Sequence, residues 1–461
     1  MRTAPARRAA LAVLLLAAAT ALPAAAEPAR PPDLGEVDLA TSARSPEARE
    51  SFRRGVAALH SFWYDEAADA FRAAWEAEPG FAMAAWGEAM TCNHPIWNEV
   101  DLECGRAALA RLGATAEERA AAAPTARERA YLAAVEALFA PGDADKEARD
   151  TAYERAVADL AAAHPDDLDA AAFHALALQG LVYAGHLPGD ERFPALMRSA
   201  ALLEPLFDRE PRHPGVLHYL IHAYDDPVHA PLGLRAAETY ARVAPAAHHA
   251  LHMPSHIFVQ LGRWDDVVAS NEEAWAASVA WQERRGHGVD RRDFHSLSWR
   301  LYGELQQGRR RAAAETLETA RRSLAESGGH ARIAGALERM AARYRIETGE
   351  APPETAEVAA HPAHPHAGDA ASPPDPAHAA HPEEDGAVLF ARGLAALAAG
   401  DPAAALALAE RLAEEEGAPS RVMARELEGL ALVARGDAEA GLAELREAAE
   451  LEAAMPPPSG P

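Results

Sequence analysis

One interval recurs along this chain and constrains its fold more than any other feature. His218 and His252 are 34 residues apart, as are His222 and His256, His60 and His94, and Pro211 and Pro245. A period of that length holds one pair of helices with their turns, stacked against the next pair. Composition agrees. Among 461 residues alanine dominates, aromatics are only 6%, and strand-type runs of Val, Ile and Thr are nearly absent, which favours helix throughout. The expectation is an all-α solenoid of helix pairs with no sheet.

Prolines punctuate the joints at Pro165, Pro211 and Pro245, where they cannot continue a helix. Between the joints the periodicity predicts helices over 124–139, 145–163, 167–184, 194–209, 214–225, 231–244, 246–261, 264–283, 293–307 and 309–325, with a last one near 330–348. Residues 101–123 break the rhythm. The first 26 residues have the pattern of a secretory signal: Arg2, Arg7 and Arg8, an apolar run from Ala9 to Leu22, and Ala24-Ala25-Ala26 before Glu27. Residues 27–45 read as a flexible lead-in and 46–348 as the repeat array. Residues 349–386 are a His- and Pro-rich linker that includes His361, His364, His366, His378 and His381. Its proline density opposes helix, and its imidazoles could chelate metal loosely. Residues 387–454 carry two more helix pairs, with Gly400 and Gly436 at their turns, and 455–461 form a disordered tail.

The segment from Ala48 to Phe81 carries Gly55 in its first helix, Ala67, Phe71 and Ala74 in its second, and Pro79 at its close. Small residues sit where the two helices of a unit cross. These offsets resemble the tetratricopeptide repeat family, although Ser51, Arg54 and Ala58 stand where that family has Trp, Leu and Tyr. More narrowly, HAPLGL…HMPSHIF (His229 to Phe258) followed by GRWDDVV looks like secreted bacterial repeat proteins of unassigned function. The resemblance implies a right-handed superhelix whose first helices line a concave groove, with a protein or peptide as the partner bound there.

Seven of the 21 histidines fall between His218 and His256. His218 and His222 share one helix face, with Asp225 one turn on; His249, His252 and His256 share another. Imidazoles from neighbouring first helices can converge on one ion. His222 and His256 are the expected facing pair and His218 and His252 a second rung, with His229 and Asp226 in the following loop. The candidate ligands are therefore His218, His222, Asp225, His229, His249, His252 and His256, and a Zn²⁺ or Cu²⁺ ion suits them. His174 and His295 lie on flanking first helices and could face the same groove. Pro254 interrupts the second helix and would distort the pairing of His252 with His256 if it kinks the chain.

The two cysteines, Cys92 and Cys104, either pair in an oxidising compartment or place Cys92 beside His94 at a metal. HYLIH places Tyr219 where a zinc protease has its glutamate, and no P-loop or G-x-S-x-G is present. The net charge of −26, falling to −29 once the three leader arginines are cut away, opposes nucleic acid and anionic lipid as partners. The sequence thus reads as a periplasmic or secreted repeat scaffold that binds a protein or peptide and holds a transition metal. The alternative is a metal-dependent enzyme, such as a hydrolase, on the same scaffold.

Overall fold

The computed structural model describes residues 33–142, 144–353, 385–415 and 417–455. The expected signal segment, most of the linker and nearly all of the tail lie outside the described residues.

The chain is an all-α solenoid of helix pairs. The first pair is α1 (Pro46–His60) and α2 (Tyr64–Ala77). Ser45 caps α1 by accepting the Ala48 N–H at 3.2 Å. Then come α3 (Ala82–Met90), α4 (Leu102–Ala110) and α5 (Ala116–Ala122). The pairs α6 (Ala126–Leu138) with α7 (Lys146–Ala163) and α8 (Leu168–Tyr183) with α9 (Arg192–Arg209) follow. Next are α10 (Pro214–Ala223), α11 (Ala230–Val243), α12 (His248–His252), α13 (Pro254–Gln260) and α14 (Trp264–Arg285). The array continues through α15 (Phe294–Gln306), α16 (Arg310–Glu326) and α17 (Ala331–Thr348). After the linker come α18 (Gly386–Ala398), α19 (Pro402–Glu414), α20 (Ala418–Ala434) and α21 (Ala438–Ala453). None of the described helices is long and apolar enough to cross a membrane.

Consecutive helices pack on one another along the array, and small residues set how closely. A methyl group added at Gly55 in α1 would lie 2.7 Å from the Phe71 ring of α2, so the crossing tolerates no Cβ there. Gly400 and Gly436 end their helices at φ +78° and +94°, the left-handed conformation that only glycine adopts freely.

The stretch at 101–123, where the sequence rhythm breaks, holds α4 and α5. It is preceded by a two-residue antiparallel ribbon, β1 (Asn93–His94) with β2 (Glu99–Val100), pairing Asn93 with Val100 and His94 with Glu99. Cys92 and Cys104 are disulfide-bonded across this ribbon, with Cα atoms 5.9 Å apart. His94 is engaged elsewhere: its Nε2 meets the Thr91 carbonyl at 3.1 Å and its ring lies 4.0 Å from that of Tyr64. Residues 33–45 of the lead-in form no helix or strand, yet they are packed rather than loose. Leu34, Leu39 and Ala43 are buried, the Glu36 N–H donates to the Arg212 carbonyl at 3.0 Å, and the Ala246 N–H donates to the Asp33 carbonyl at 3.3 Å.

The largest core runs from Leu34 to Trp281. The helices that carry the histidines cross its middle.

Candidate metal centre

α10 begins at Pro214, whose missing N–H costs nothing at that position. Before it, the His213 Nδ1 accepts the Val216 N–H at 3.3 Å and caps the helix. Every residue of α10 is buried, so its histidines have no water to solvate them. Spaced by four, His218 and His222 lie on one face with ring centroids 4.9 Å apart.

The next first helix is broken in two. α12 ends at His252, and α13 starts at Pro254, which cannot donate to the preceding turn. Met253 between them keeps helical angles (φ −53°, ψ −35°). The Ser255 hydroxyl donates to the His252 carbonyl at 2.7 Å, satisfying an acceptor the break leaves free. The break therefore preserves the pairing that a kink would distort: the Nε2 atoms of His252 and His256 are 3.1 Å apart.

The imidazoles gather in two sets of three. His218, His222 and His249 form one, and His252, His256 and His295 form the other; within each set the ligand atoms lie within 4.8 Å of one another. The sets adjoin. Ring centroids are 6.0 Å apart between His222 and His256 and again between His249 and His252. His295 comes from α15, with its ring 4.7 Å from that of His252.

Outer partners fix which nitrogens carry hydrogen. His252 Nδ1 is 2.6 Å from Asn271 Oδ1. The Asn271 amide nitrogen donates to the Val267 carbonyl at 2.8 Å, so oxygen faces the ring and Nδ1 is the protonated atom. His256 Nδ1 donates to Asp225 Oδ2 at 2.8 Å, and His218 Nδ1 donates to the His60 carbonyl at 2.7 Å. In the neutral ring each of these three keeps a bare lone pair on Nε2. Burial, the dominant cause, pushes the imidazoles of His222, His249 and His252 well below the usual histidine range and that of His218 down to about 3. These rings are therefore neutral at physiological pH.

The Nε2 atoms of His252 and His256 thus face each other at 3.1 Å, a gap that one shared cation, a proton or a metal ion, would fill. Two nitrogens bound to one tetrahedral ion at about 2.0–2.1 Å would lie roughly 3.3 Å apart. His218 and His249 meet Nε2 to Nε2 at 3.2 Å. The buried His222 Nε2 has no hydrogen-bond partner, a deficit of about 1–3 kcal/mol.

Aromatic rings close the surroundings. Phe62 sits edge-on to His218 at 4.3 Å and lies 5.9 Å from His222 and 5.7 Å from His249. It holds φ +51°, an uncommon conformation for a bulky residue and one found at constrained sites. Trp299 flanks His252 at 4.9 Å and His256 at 4.4 Å.

Of the sequence-derived candidates, five histidines (His218, His222, His249, His252 and His256) lie in the two sets. Asp225 stands one step behind, holding His256 and accepting the Gln260 amide at 3.2 Å. Burial pushes its carboxyl above the usual range, while His256 and Gln260 draw it back. His229 stands apart: its Nδ1 donates to Asp226 Oδ2 at 2.7 Å, and its ring adjoins Phe193. Of the flanking pair, His295 joins the second set, and His174 instead pairs with Glu154 at 3.1 Å.

A third group, His60, Asp169 and His213, was not legible in the sequence, since its members come from α1, α8 and the start of α10. It is closed by its own hydrogen bonds. His60 Nε2 lies 2.8 Å and His213 Nε2 3.3 Å from Asp169 Oδ1, and His60 Nδ1 lies 2.9 Å from the Tyr219 hydroxyl. Burial would raise the Asp169 carboxyl, but the bonds from His213 and His60 override it and hold it well below the usual carboxylate range. With His213 Nδ1 already capping α10, all four ring nitrogens are engaged, and the group fastens α1, α8 and α10 together.

No protein-family model matches this chain, and no curated protein matches it. Among solved structures, one match is the crystal structure of the P58(IPK) TPR domain, 12% identical, covering 88% of this chain and 98% of that one at a TM-score of 0.20.

Proposed function

We propose that this chain is a helical-repeat scaffold whose role includes holding a transition-metal ion on His252, His256 and His295, with Asp225 and Asn271 as the outer residues that orient the rings. The observation that carries this reading is the approach of two Nε2 atoms at 3.1 Å while both Nδ1 hydrogens are committed elsewhere. An all-imidazole set suits borderline ions such as Zn²⁺ or Cu²⁺. The amide behind His252 and the carboxylate behind His256 are outer partners of the kind that fix a metal-binding tautomer. The array's helix pairs suit it to a protein or peptide partner. The apolar leader at 9–22 and the bonded cysteines support export to an oxidising compartment.

A second reading has one specific observation in its favour. Each set supplies three protein ligands, which leaves a fourth position for water or substrate, as catalytic zinc sites do. On that reading the scaffold is a metal-dependent enzyme.

The test is a thermal melt of the full chain with and without Zn²⁺ or Cu²⁺. An ion that binds only the folded state at one hundred times its dissociation constant stabilises by about 2.7 kcal/mol. The shift should vanish in the His252→Gln, His256→Gln double variant and persist when the five linker histidines are replaced by alanine. A double variant that keeps the whole shift would refute the site.

A further inference from the structure

We propose that the centre is binuclear and its two halves unlike: a second ion, monovalent copper, is held by His218, His222 and His249. This rests on the reading above for the neighbouring ion but on separate residues for its own.

Two observations single out this second set. The first is an unmet need. His218 Nδ1 is committed to the His60 carbonyl at 2.7 Å, so its Nε2 offers a lone pair toward His249 Nε2 at 3.2 Å. A hydrogen on His249 would satisfy that pair. It would leave His222 Nε2, buried within the same set, with nothing to bind. One ion satisfies all three at once.

The second observation is charge. Among the described residues no carboxylate is hydrogen-bonded to His218, His222 or His249. Their outer partners are a backbone carbonyl and aromatic rings: Phe62, Tyr240 at 5.3 Å from His218, and Trp97 at 5.9 Å from His249. The other set differs. His256 rests on Asp225, and Asp293, which also holds His248 Nδ1 at 3.1 Å, acts electrostatically on His252. The cost of burying an ion grows with the square of its charge, and a buried charge needs compensation. A divalent ion among three neutral rings and an aromatic wall has none. A monovalent ion carries a quarter of that penalty, and copper in that state accepts three nitrogen ligands without a fourth. The carboxylate-backed set tolerates a divalent ion.

The experiment counts ions. The full chain with its five linker histidines changed to alanine is loaded either with Zn²⁺ or, anaerobically with ascorbate, with Cu⁺. After gel filtration, metal per chain is measured by plasma mass spectrometry. We expect two copper ions but one zinc ion per chain. His222→Gln with His249→Gln should lower copper to one and leave zinc at one. His252→Gln with His256→Gln should remove zinc and leave one copper. Where either pair fails to retain helix by circular dichroism, His222→Gln alone, which breaks no hydrogen bond of that Nε2, replaces the first and His256→Gln the second. A single copper lost in both variants would mean one shared ion and overturn the proposal. So would a single copper lost only with His252 and His256, an outcome that leaves the first site standing. Two zinc ions per chain would overturn the difference between the halves. A chain that takes up neither metal would overturn both readings.

Discussion

The carboxylate of Asp225, just beyond α10, reaches into the next repeat and takes the Nδ1 hydrogen of His256 at 2.8 Å. The bond points His256 Nε2 at His252 and fixes the ring's orientation. Asp225→Ala should therefore weaken metal binding about 10–100-fold, the usual effect of losing such an outer partner, while leaving the ion count per chain unchanged at saturation. Competition against a chromophoric chelator measures this. An unchanged affinity would show that the carboxylate has no bearing on the ring.

Without metal the fold should be acid-sensitive. Burial holds the folded-state pKa of His60, His218, His222, His249 and His252 below the unfolded value. Between these values the unfolded chain binds more protons. The stability these residues contribute is thus complete above about pH 6.5 and falls as pH drops below it, by roughly 1.4 kcal/mol per pH unit for each fully shifted histidine. Urea midpoints of the metal-free chain between pH 7.5 and 5 should decline steeply. A flat profile would mean these rings are solvated in the folded state.

Gly215 in α10 offers a test of the His60 network. Gly→Ala inside a helix ordinarily gains about 1 kcal/mol. Here the added methyl would lie 2.3 Å from His60 Nδ1, the atom bonded to Tyr219. Gly215→Ala should instead destabilise, by about 1–3 kcal/mol as overpacking does. Chemical denaturation gives the sign directly.

The disulfide makes a separate prediction. Replacing Cys92 and Cys104 by serine removes a short cross-link and should cost about 2–3 kcal/mol of stability. It should leave metal content unchanged, because neither cysteine belongs to the histidine sets. A fall in bound metal would restore Cys92 as a ligand.

The helix pairs were legible because the 34-residue step, the alanine-rich faces and the punctuating prolines all report on one geometry. The gathering of histidines was legible too, but not their partners. Equal offsets predict rungs of His222 with His256 and His218 with His252. In the structure His218 meets His249 and Asp225 meets His256, pairs 31 apart. The difference of three residues is close to one helical turn. Repeat periodicity fixes which helices are neighbours, whereas their axial stagger depends on side-chain packing and on the Met253–Pro254 break. The His60–Asp169–His213 group left no trace in spacing, since tertiary folding alone unites its three sources. Phe62 left none either: nothing in SFWY signals a left-handed backbone.

The six imidazoles come from three consecutive first helices, α10, α12 with α13, and α15. This bears on how such a gene can change. Repeat arrays tolerate gain or loss of whole units, because each unit contacts mainly its neighbours. Excising residues 219–252 would remove one 34-residue period and keep the helix phase, yet it would delete His222, His249 and His252 together. A metal centre built on these rings would fix the copy number of the three units that carry them.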